Sequence, residues 1–201
     1  MADILDTRGR ILQSAIDTVG LKGDITVREL ADIAGVNVAS INYYFGNKNN
    51  LLKEVEDYYS SSLYSIQYDI LISNSLSPYD KILEWARSLS NFISEYPALI
   101  GLIVNLTMED KSYRPVLIQK IYLNKKLQIK IEEIIGTIIK SKDKKLINFK
   151  YLQIFSGILG PIINEVVEES FSDGGSMTYF NNKEDLNEYI EYLISTVLNK
   201  K

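Results

Sequence analysis

Apolar residues recur every three or four positions along almost the whole chain, which is the spacing that gives an α-helix one apolar face. No segment shows the alternation of apolar and polar residues, bounded by tight-turn residues, that is typical of a β-strand. The apolar pattern is broken mainly at segments that contain glycine or proline. The sequence therefore predicts an all-α fold of about nine helices.

The helical stretches are short up to about residue 47 and longer after it. We expect residues 1–47 to form a head of three short helices, and residues 48–201 to form a bundle of longer helices. Within the bundle, one helix is predicted to follow Pro115 and to continue to about Ile138. The Gly- and Ser-rich segment 172–182 is predicted to be a loop.

The composition excludes several kinds of catalytic and metal site. The 201 residues include no cysteine and no histidine, so thiolate and imidazole nucleophiles and the usual zinc ligands are absent. The candidate carboxylate pairs, Glu132-Glu133 and Glu168-Glu169, consist of adjacent residues that point in different directions on a helix. We therefore expect no enzyme activity, no metal and no cofactor.

The sequence shows no secretory leader and no membrane-spanning stretch. The first ten residues combine two aspartates and two arginines with few apolar residues, unlike a signal peptide. The longest apolar tract, Ala98 to Leu106, is far shorter than the roughly 18–20 residues that span a bilayer. The sequence predicts a cytoplasmic protein without a membrane partner.

The segment from residue 27 to residue 46 has the pattern of a helix-turn-helix. Ala31 provides the small residue where two helices cross, Gly35 provides the turn, and Thr26 with Glu29 has the spacing of an N-terminal capping box. An ordinary corner between two helices has similar packing needs and is the simpler alternative. The predicted inward positions of the motif are Val27, Leu30, Ala34, Val36, Ile41 and Tyr44.

The outward face of the third helix favours DNA binding over that alternative. Asparagine can pair with adenine, small apolar side chains can contact the thymine methyl group, and hydroxyl groups can donate to bases or phosphates. Phosphate contacts are expected from the start of the second helix and from Lys48, which follows the third. The candidate DNA-binding residues are Thr26, Arg28, Asn37, Val38, Ala39, Ser40, Asn42, Tyr43, Tyr44 and Lys48.

The charge distribution argues against non-specific binding to nucleic acid. Residues 1–53 contain six basic and six acidic side chains, and the whole chain has a formal net charge of −4. A protein that coats nucleic acid by charge alone is usually strongly basic. The balance is compatible with a regulator that recognises one DNA sequence through a few well-placed groups.

Three motifs carry a resemblance to a known family. They are Arg10-Ile-Leu-Gln-Ser-Ala15, the run from Thr26 to Val36, and Ile41-Asn-Tyr-Tyr-Phe-Gly-Asn-Lys48 with the following Leu51. In order and spacing they resemble the DNA-binding head of the TetR family of bacterial transcription regulators. The resemblance implies a repressor that binds a palindromic double-stranded operator as a homodimer and is released by a small-molecule effector of unknown identity.

The bundle offers candidates for the effector site and for the dimer interface. It is rich in tyrosine, and aromatic walls with polar tips suit a pocket for a flat or lipophilic molecule, although such stripes also form ordinary cores. The pocket candidates are Tyr59, Leu63, Trp85, Tyr122 and Phe155. The last two long helices are amphipathic, and their dimer candidates are Ile158, Ile162, Val166, Tyr189, Leu193 and Val197. The alternative function is a helical protein-interaction module without a DNA target.

Overall fold

A computed structural model describes residues 6–22, 25–171 and 182–198, and the side chains of residues 22 and 162–171 lie outside that description. Every regular element within these ranges is a helix, so the all-α prediction is confirmed. The predicted loop at 172–182 lies almost entirely outside the described residues. The α-helices are α1 Thr7–Lys22, α2 Val27–Ala34, α3 Val38–Phe45, α4 Lys48–Ile72, α5 Pro78–Glu95, α6 Ala98–Glu109, α7 Lys125–Ile138, α8 Lys144–Phe171 and α9 Lys183–Val197.

The helix that we predicted to continue from Pro115 to Ile138 is instead two elements. A short π-helix, Ile118–Tyr122, ends at Leu123, and α7 begins after Asn124. The Asn124 side chain accepts hydrogen bonds from the backbone N–H groups of Lys126 and Leu127, both at 3.1 Å. Asparagine in this N-cap position satisfies donors that a continuous helix would have bonded internally.

The contacts divide the chain into two compact units, and the division differs from the predicted boundary after residue 47. Unit 1 comprises Met1–Ser62 and Glu95–Leu123, and unit 2 comprises Leu63–Ser94 and Asn124–Lys201. The head therefore shares its unit with the first part of α4, with α6 and with the π-helix. Helix α4 begins in unit 1 and ends in unit 2.

Unit 1 is built around α1, which packs against α2, α3 and α6. Its apolar residues lie on the faces that the helical period predicts, and burying each large one contributes about 1.5–3 kcal/mol. The fully or almost fully buried residues are Ile11, Ala15, Val19, Leu30, Ala31, Ile41, Leu51, Val55, Leu99 and Leu106.

Unit 2 contains α7 packed on α8 and α8 packed on α9. Its innermost side chains are Leu63, Leu71, Ile82, Trp85, Ala86, Ile131, Ile135, Ile154, Ile158, Ile190 and Ile194. Within the described residues no single helix is long and apolar enough to cross a membrane, although α5 and α6 taken together reach that length and composition.

Candidate nucleic-acid interface

Helix α2 begins with the capping box that the sequence predicts. The Glu29 backbone N–H donates to the Thr26 hydroxyl oxygen at 3.2 Å, while the Thr26 N–H and hydroxyl both donate to the Glu29 carboxylate, at 2.8 and 2.7 Å. The Thr26 side chain is thus engaged within the helix start. Arg28, in the same first turn, is exposed, which leaves its guanidinium accessible to a phosphate group.

The turn between α2 and α3 requires glycine at position 35. Gly35 has a φ of 64° and a ψ of 41°, a left-handed conformation in which other residues are strained. The Val36 N–H donates to the Ala31 carbonyl at 3.0 Å, so the last carbonyls of α2 keep partners. This geometry turns the chain from α2 directly into α3.

Both ends of α3 are defined by specific residues. At its start the Asn37 side-chain oxygen accepts from the Ser40 N–H at 2.8 Å and from the Ser40 hydroxyl at 3.0 Å. At its end Gly46, with a φ of 76°, donates its N–H to the Asn42 carbonyl at 2.8 Å. Two predicted DNA-binding residues, Asn37 and Ser40, therefore also hold the helix start together.

One face of α3 is buried and the other is open to solvent. Ile41 and Phe45 are buried, whereas Asn42 is exposed and Tyr43 exposes 82% of its surface. Tyr44 was predicted to point inward, and this is wrong, because Tyr44 is exposed and Phe45 takes the inward position. The other exposed residues of this face are Val38 and Ala39.

An arginine that the sequence analysis did not single out fixes the end of α3. The Arg8 guanidinium donates to both carboxylate oxygens of Glu54 at 2.7 Å and lies 4.8 Å from the centre of the Phe45 ring. Arg8 thereby joins α1, α4 and the last residue of α3. Because the Arg8 guanidinium is paired with Glu54, a contact with a DNA phosphate is better supported for Arg28 than for Arg8.

Polar contacts fasten the first part of α4 to the segment that follows α6. Lys53 donates to Asp110 at 2.8 Å and lies 4.9 Å from the centre of the Tyr113 ring. The hydrogen bond from Lys53, with further bonds from Ser112, holds the pKa of Asp110 well below its ordinary value. Asn49, one turn earlier in α4, donates to Glu109.

A fully buried carboxylate lies at the centre of this contact. Glu56 accepts from the hydroxyls of Ser60 and Tyr113 at 2.8 and 2.7 Å, and from the backbone N–H groups of Val116 and Leu117 at 3.0 and 2.8 Å. Four donors compensate the burial of the charge. Burial and the hydrogen bond to Glu56 raise the pKa of Tyr113.

The predicted pocket residues are divided between the two units. Tyr59 is buried in unit 1, where its hydroxyl donates to the Ile16 carbonyl at 2.6 Å. Tyr122, also in unit 1, exposes 56% of its surface. The buried residues Leu63, Trp85 and Phe155 belong to unit 2, and the rings of the last two stack with centres 6.4 Å apart.

A surface groove of about 910 Å³ lies at the turn between α7 and α8. None of the predicted pocket residues lines it. The residues that do are Ile129, Glu132, Glu133, Gly136, Thr137, Lys140, Ser141, Lys142, Lys144 and Ile147.

Several predicted dimer residues contribute to packing between α8 and α9 of the same chain. Ile158 and Val197 are buried, so they have little surface for a second chain. The Tyr189 hydroxyl donates to the Gly157 carbonyl at 2.9 Å, and a side-chain carbon on Gly157 would meet Leu193 at 2.6 Å. The side chains of two further predicted residues, Ile162 and Val166, lie outside the described part of the chain.

Comparison with known proteins decides what kind of helix-turn-helix this is. Residues 19–55, which contain the whole motif, match the sequence profile described as "Bacterial regulatory proteins, tetR family". This segment is therefore similar to the DNA-binding segment of TetR-family regulators. The predicted family resemblance is thus confirmed.

A curated relative agrees with the profile. It is 30% identical over 112 residues to the "Probable HTH-type transcriptional regulator YttP" of Bacillus subtilis (strain 168), an alignment that covers 55% of this chain. That alignment spans less than half, 46%, of the relative's own length.

Solved structures share the fold over nearly the full length. A TetR-family regulator from Mesorhizobium loti is similar with a TM-score of 0.67 and 17% identity, covering 96% of this chain and 95% of that one. The TetR-family regulator PfmR from Thermus thermophilus gives a TM-score of 0.60 and 16% identity, covering 92% of this chain and 97% of that one. At such identities the likeness establishes only the fold of this chain.

Proposed function

We propose that this chain is a cytoplasmic DNA-binding transcriptional regulator that recognises its operator through α3. The observation that carries the proposal is the exposed face of α3, where Asn42 and Tyr43 are presented to solvent while Ile41 and Phe45 hold the helix in the head. A helix of this kind fits the major groove with side chains directed at base edges. The match of residues 19–55 to the TetR-family profile supports the same function.

The exposed residues divide into two roles. Asn42 can form paired hydrogen bonds with adenine, and the apolar groups of Val38 and Ala39 can contact a thymine methyl group. Arg28 and Lys48 begin the helices on either side of α3 and are the candidates for phosphate contacts. This division places sequence recognition on α3 and charge-dependent affinity on its neighbours.

We further propose a two-fold homodimer formed by α8 and α9, which would present two copies of α3 to a near-palindromic operator. The outward faces of these helices carry large apolar side chains that the single chain leaves exposed, namely Phe149, Leu152 and Tyr192. Such residues are typical of the core of an interface. We therefore take Phe149, Leu152 and Tyr192, instead of the buried Ile158 and Val197, as the candidates for contact between subunits.

Regulation by a small molecule completes the proposal. The chain acts as a repressor whose operator affinity falls when an effector binds in unit 2. Helix α4 supports this coupling, because it starts at Lys48 beside the proposed DNA surface and continues into unit 2. Coupling between two such sites typically changes affinity about 5- to 150-fold.

Selection of bound duplexes from a random DNA pool tests the function. The proposal predicts enrichment of one near-palindromic sequence whose half-sites are about one helical turn, ~34–36 Å, or a multiple of it apart. A pool that stays unenriched after binding at moderate salt would contradict DNA recognition. Enrichment of a single unsymmetrical half-site would contradict the homodimer only.

A further inference from the structure

The turn between α7 and α8 carries the densest positive charge of this acidic chain. Residues 140–145 contain four lysines and a single acidic residue, Asp143, whereas the whole chain has a formal net charge of −4. All four lysines are exposed, and none of them forms an ion pair with any residue that the structure describes. Asp143 instead caps α8, because its carboxylate accepts from the backbone N–H groups of Lys145 and Leu146 at 2.9 and 3.3 Å.

The backbone holds this turn in one shape. The Ser141 N–H donates to the Gly136 carbonyl at 3.0 Å, and Lys140 has a φ of 51°, a left-handed conformation that is uncommon for residues other than glycine. A side-chain carbon on Gly136 would lie 3.0 Å from the Ile147 side chain, so glycine permits the close approach of α7 and α8. A turn fixed in this way loses little entropy when a partner binds to it.

Three of the lysines line the groove of about 910 Å³ at this turn, and they are Lys140, Lys142 and Lys144. Two isoleucines line the same groove: Ile129, which exposes 54% of its surface, and the buried Ile147. The groove therefore places apolar surface next to positive charge. An amphipathic segment of another protein, with apolar and acidic side chains, is complementary to such a groove.

Two glutamates of α7 also line the groove and restrict the kind of partner. Glu132 accepts from the side-chain amides of Gln128 and Asn148 at 2.9 and 3.0 Å, whereas Glu133 is exposed. A uniform polyanion, such as a DNA backbone or a lipid surface, brings negative charge against Glu133 as well as against the lysines. Both are also broad surfaces, which contact the rim of a groove and not its interior. A protein segment avoids the repulsion, because it can place its carboxylates opposite the lysines alone.

We propose that the groove between α7 and α8 binds an acidic, amphipathic segment of a second protein. Its carboxylates pair with Lys140, Lys142 and Lys144, and its apolar side chains contact Ile129. The end of the segment that lies at Glu133 carries neutral or basic residues, which fixes its direction in the groove.

This contact is separate from the other proposed surfaces. The groove residues all belong to unit 2, whereas α3 belongs to unit 1. None of the proposed dimer residues Phe149, Leu152 and Tyr192 lines the groove. The inference therefore does not rest on the proposed function.

Selection from a phage-displayed library of random peptides, with the full chain as the target, tests the chemistry of the partner. The proposal predicts enrichment of peptides with net negative charge and apolar residues at the helical spacing of three and four positions, with affinities that fall as salt is raised. A selection that enriches no peptide, or that enriches only neutral or basic peptides, would overturn the proposal.

Variants assign the binding of the selected peptides to the groove. The pair Lys142→Glu and Lys144→Glu should weaken it about tenfold or more, and Ile129→Ser, which changes no charge, about three- to tenfold. The matched control is Lys125→Glu with Lys126→Glu, the same charge change at two exposed lysines outside the groove, which should change affinity by less than about twofold. Equal losses in the two lysine pairs, or unchanged affinity in the groove pair and in Ile129→Ser, would overturn the proposal.

Two other anionic partners are measured with the same variants. Vesicles of phosphatidylglycerol and phosphatidylcholine in equal parts, and a duplex of scrambled sequence, should bind the groove pair as they bind the control pair. Loss of vesicle or duplex binding in the groove pair alone, with no acidic peptide enriched, would assign the lysines to a lipid or to DNA and overturn the proposal. Operator selection is a separate experiment, so groove-dependent peptide binding without DNA recognition would contradict the proposed function and leave this inference standing.

Discussion

The hydroxyl oxygen of Tyr59 occupies the space that a side chain at position 20 would need. A side-chain carbon built on Gly20 would lie 2.2 Å from that oxygen, and the same hydroxyl donates to the Ile16 carbonyl at 2.6 Å. Glycine within a helix is unfavourable by about 1 kcal/mol relative to alanine. Here it permits Tyr59 of α4 to pack against α1, within the head that carries α3.

A double-mutant cycle tests this relationship. Gly20→Ala alone should destabilise the protein by about 1–3 kcal/mol, because the added carbon forces Tyr59 out of its position. In a Tyr59→Leu background the same substitution should become neutral or stabilise by up to ~1 kcal/mol, since the clash is gone and alanine favours the helix. Urea unfolding measures the free energy of unfolding in both backgrounds. Equal effects of Gly20→Ala in the two backgrounds would contradict the close contact between position 20 and Tyr59.

The Glu56 carboxylate should be essential for the stability of unit 1. Glu56→Ala leaves the Tyr113 hydroxyl and two backbone N–H groups without their acceptor, with an expected loss of about 3–5 kcal/mol. Tyr113→Phe removes a single donor and should cost only about 1–2 kcal/mol. Chemical denaturation compares the two variants. Similar losses in both would mean that the backbone N–H groups do not depend on Glu56.

Tyr59 also predicts how stability changes at high pH. Burial, and then the nearby Tyr96 and Asp17, raise the pKa of Tyr59 to about 12, whereas an unfolded tyrosine titrates near about 10. Because the folded pKa is the higher one, the contribution of the neutral phenol is complete below about pH 10 and is lost as the pH rises toward 12. Unfolding free energies measured across this range should fall less steeply for Tyr59→Phe than for wild type. Parallel curves would contradict the prediction.

Local sequence signals predicted much of the head, because capping and turn chemistry depend on a few neighbouring residues. The capping box of Thr26 and Glu29 and the glycine turn at Gly35 are of this kind. Periodicity could not decide between Tyr44 and Phe45 as the inward aromatic residue, since adjacent residues on a helix differ by only about 100°. In the folded chain Phe45 is the inward residue, and the Arg8 guanidinium packs on its ring.

Contacts between distant residues account for what the sequence did not predict. Nothing near Pro115 indicates that the backbone N–H groups of Val116 and Leu117 bond to Glu56 in α4. Two of the six predicted dimer residues are buried within the single chain for a related reason. An apolar stripe on α8 or α9 fits the core of its own chain as well as a partner, and Ile158 and Val197 lie in the core.

The revised dimer surface gives a direct test of assembly. Leu152→Glu places a charge on an exposed apolar position of α8 and should convert the proposed dimer to a folded monomer in sedimentation experiments. The matched control is Ile129→Glu, an equally exposed apolar position on α7 that should leave the dimer intact. A dimer that survives Leu152→Glu, Phe149→Glu and Tyr192→Glu would exclude this surface.

The dependence of DNA affinity on sequence and salt, measured with the selected duplex and a scrambled one, tests the central claim most directly. Asn42→Ala should lose about 1–3 kcal/mol on the selected duplex and little on the scrambled one, because its contact is with a base. Lys48→Ala should weaken both duplexes similarly and reduce the slope of log affinity against log salt by about one. Wild-type protein that binds both duplexes alike, or an Asn42→Ala loss that is equal on both, would contradict sequence recognition by α3.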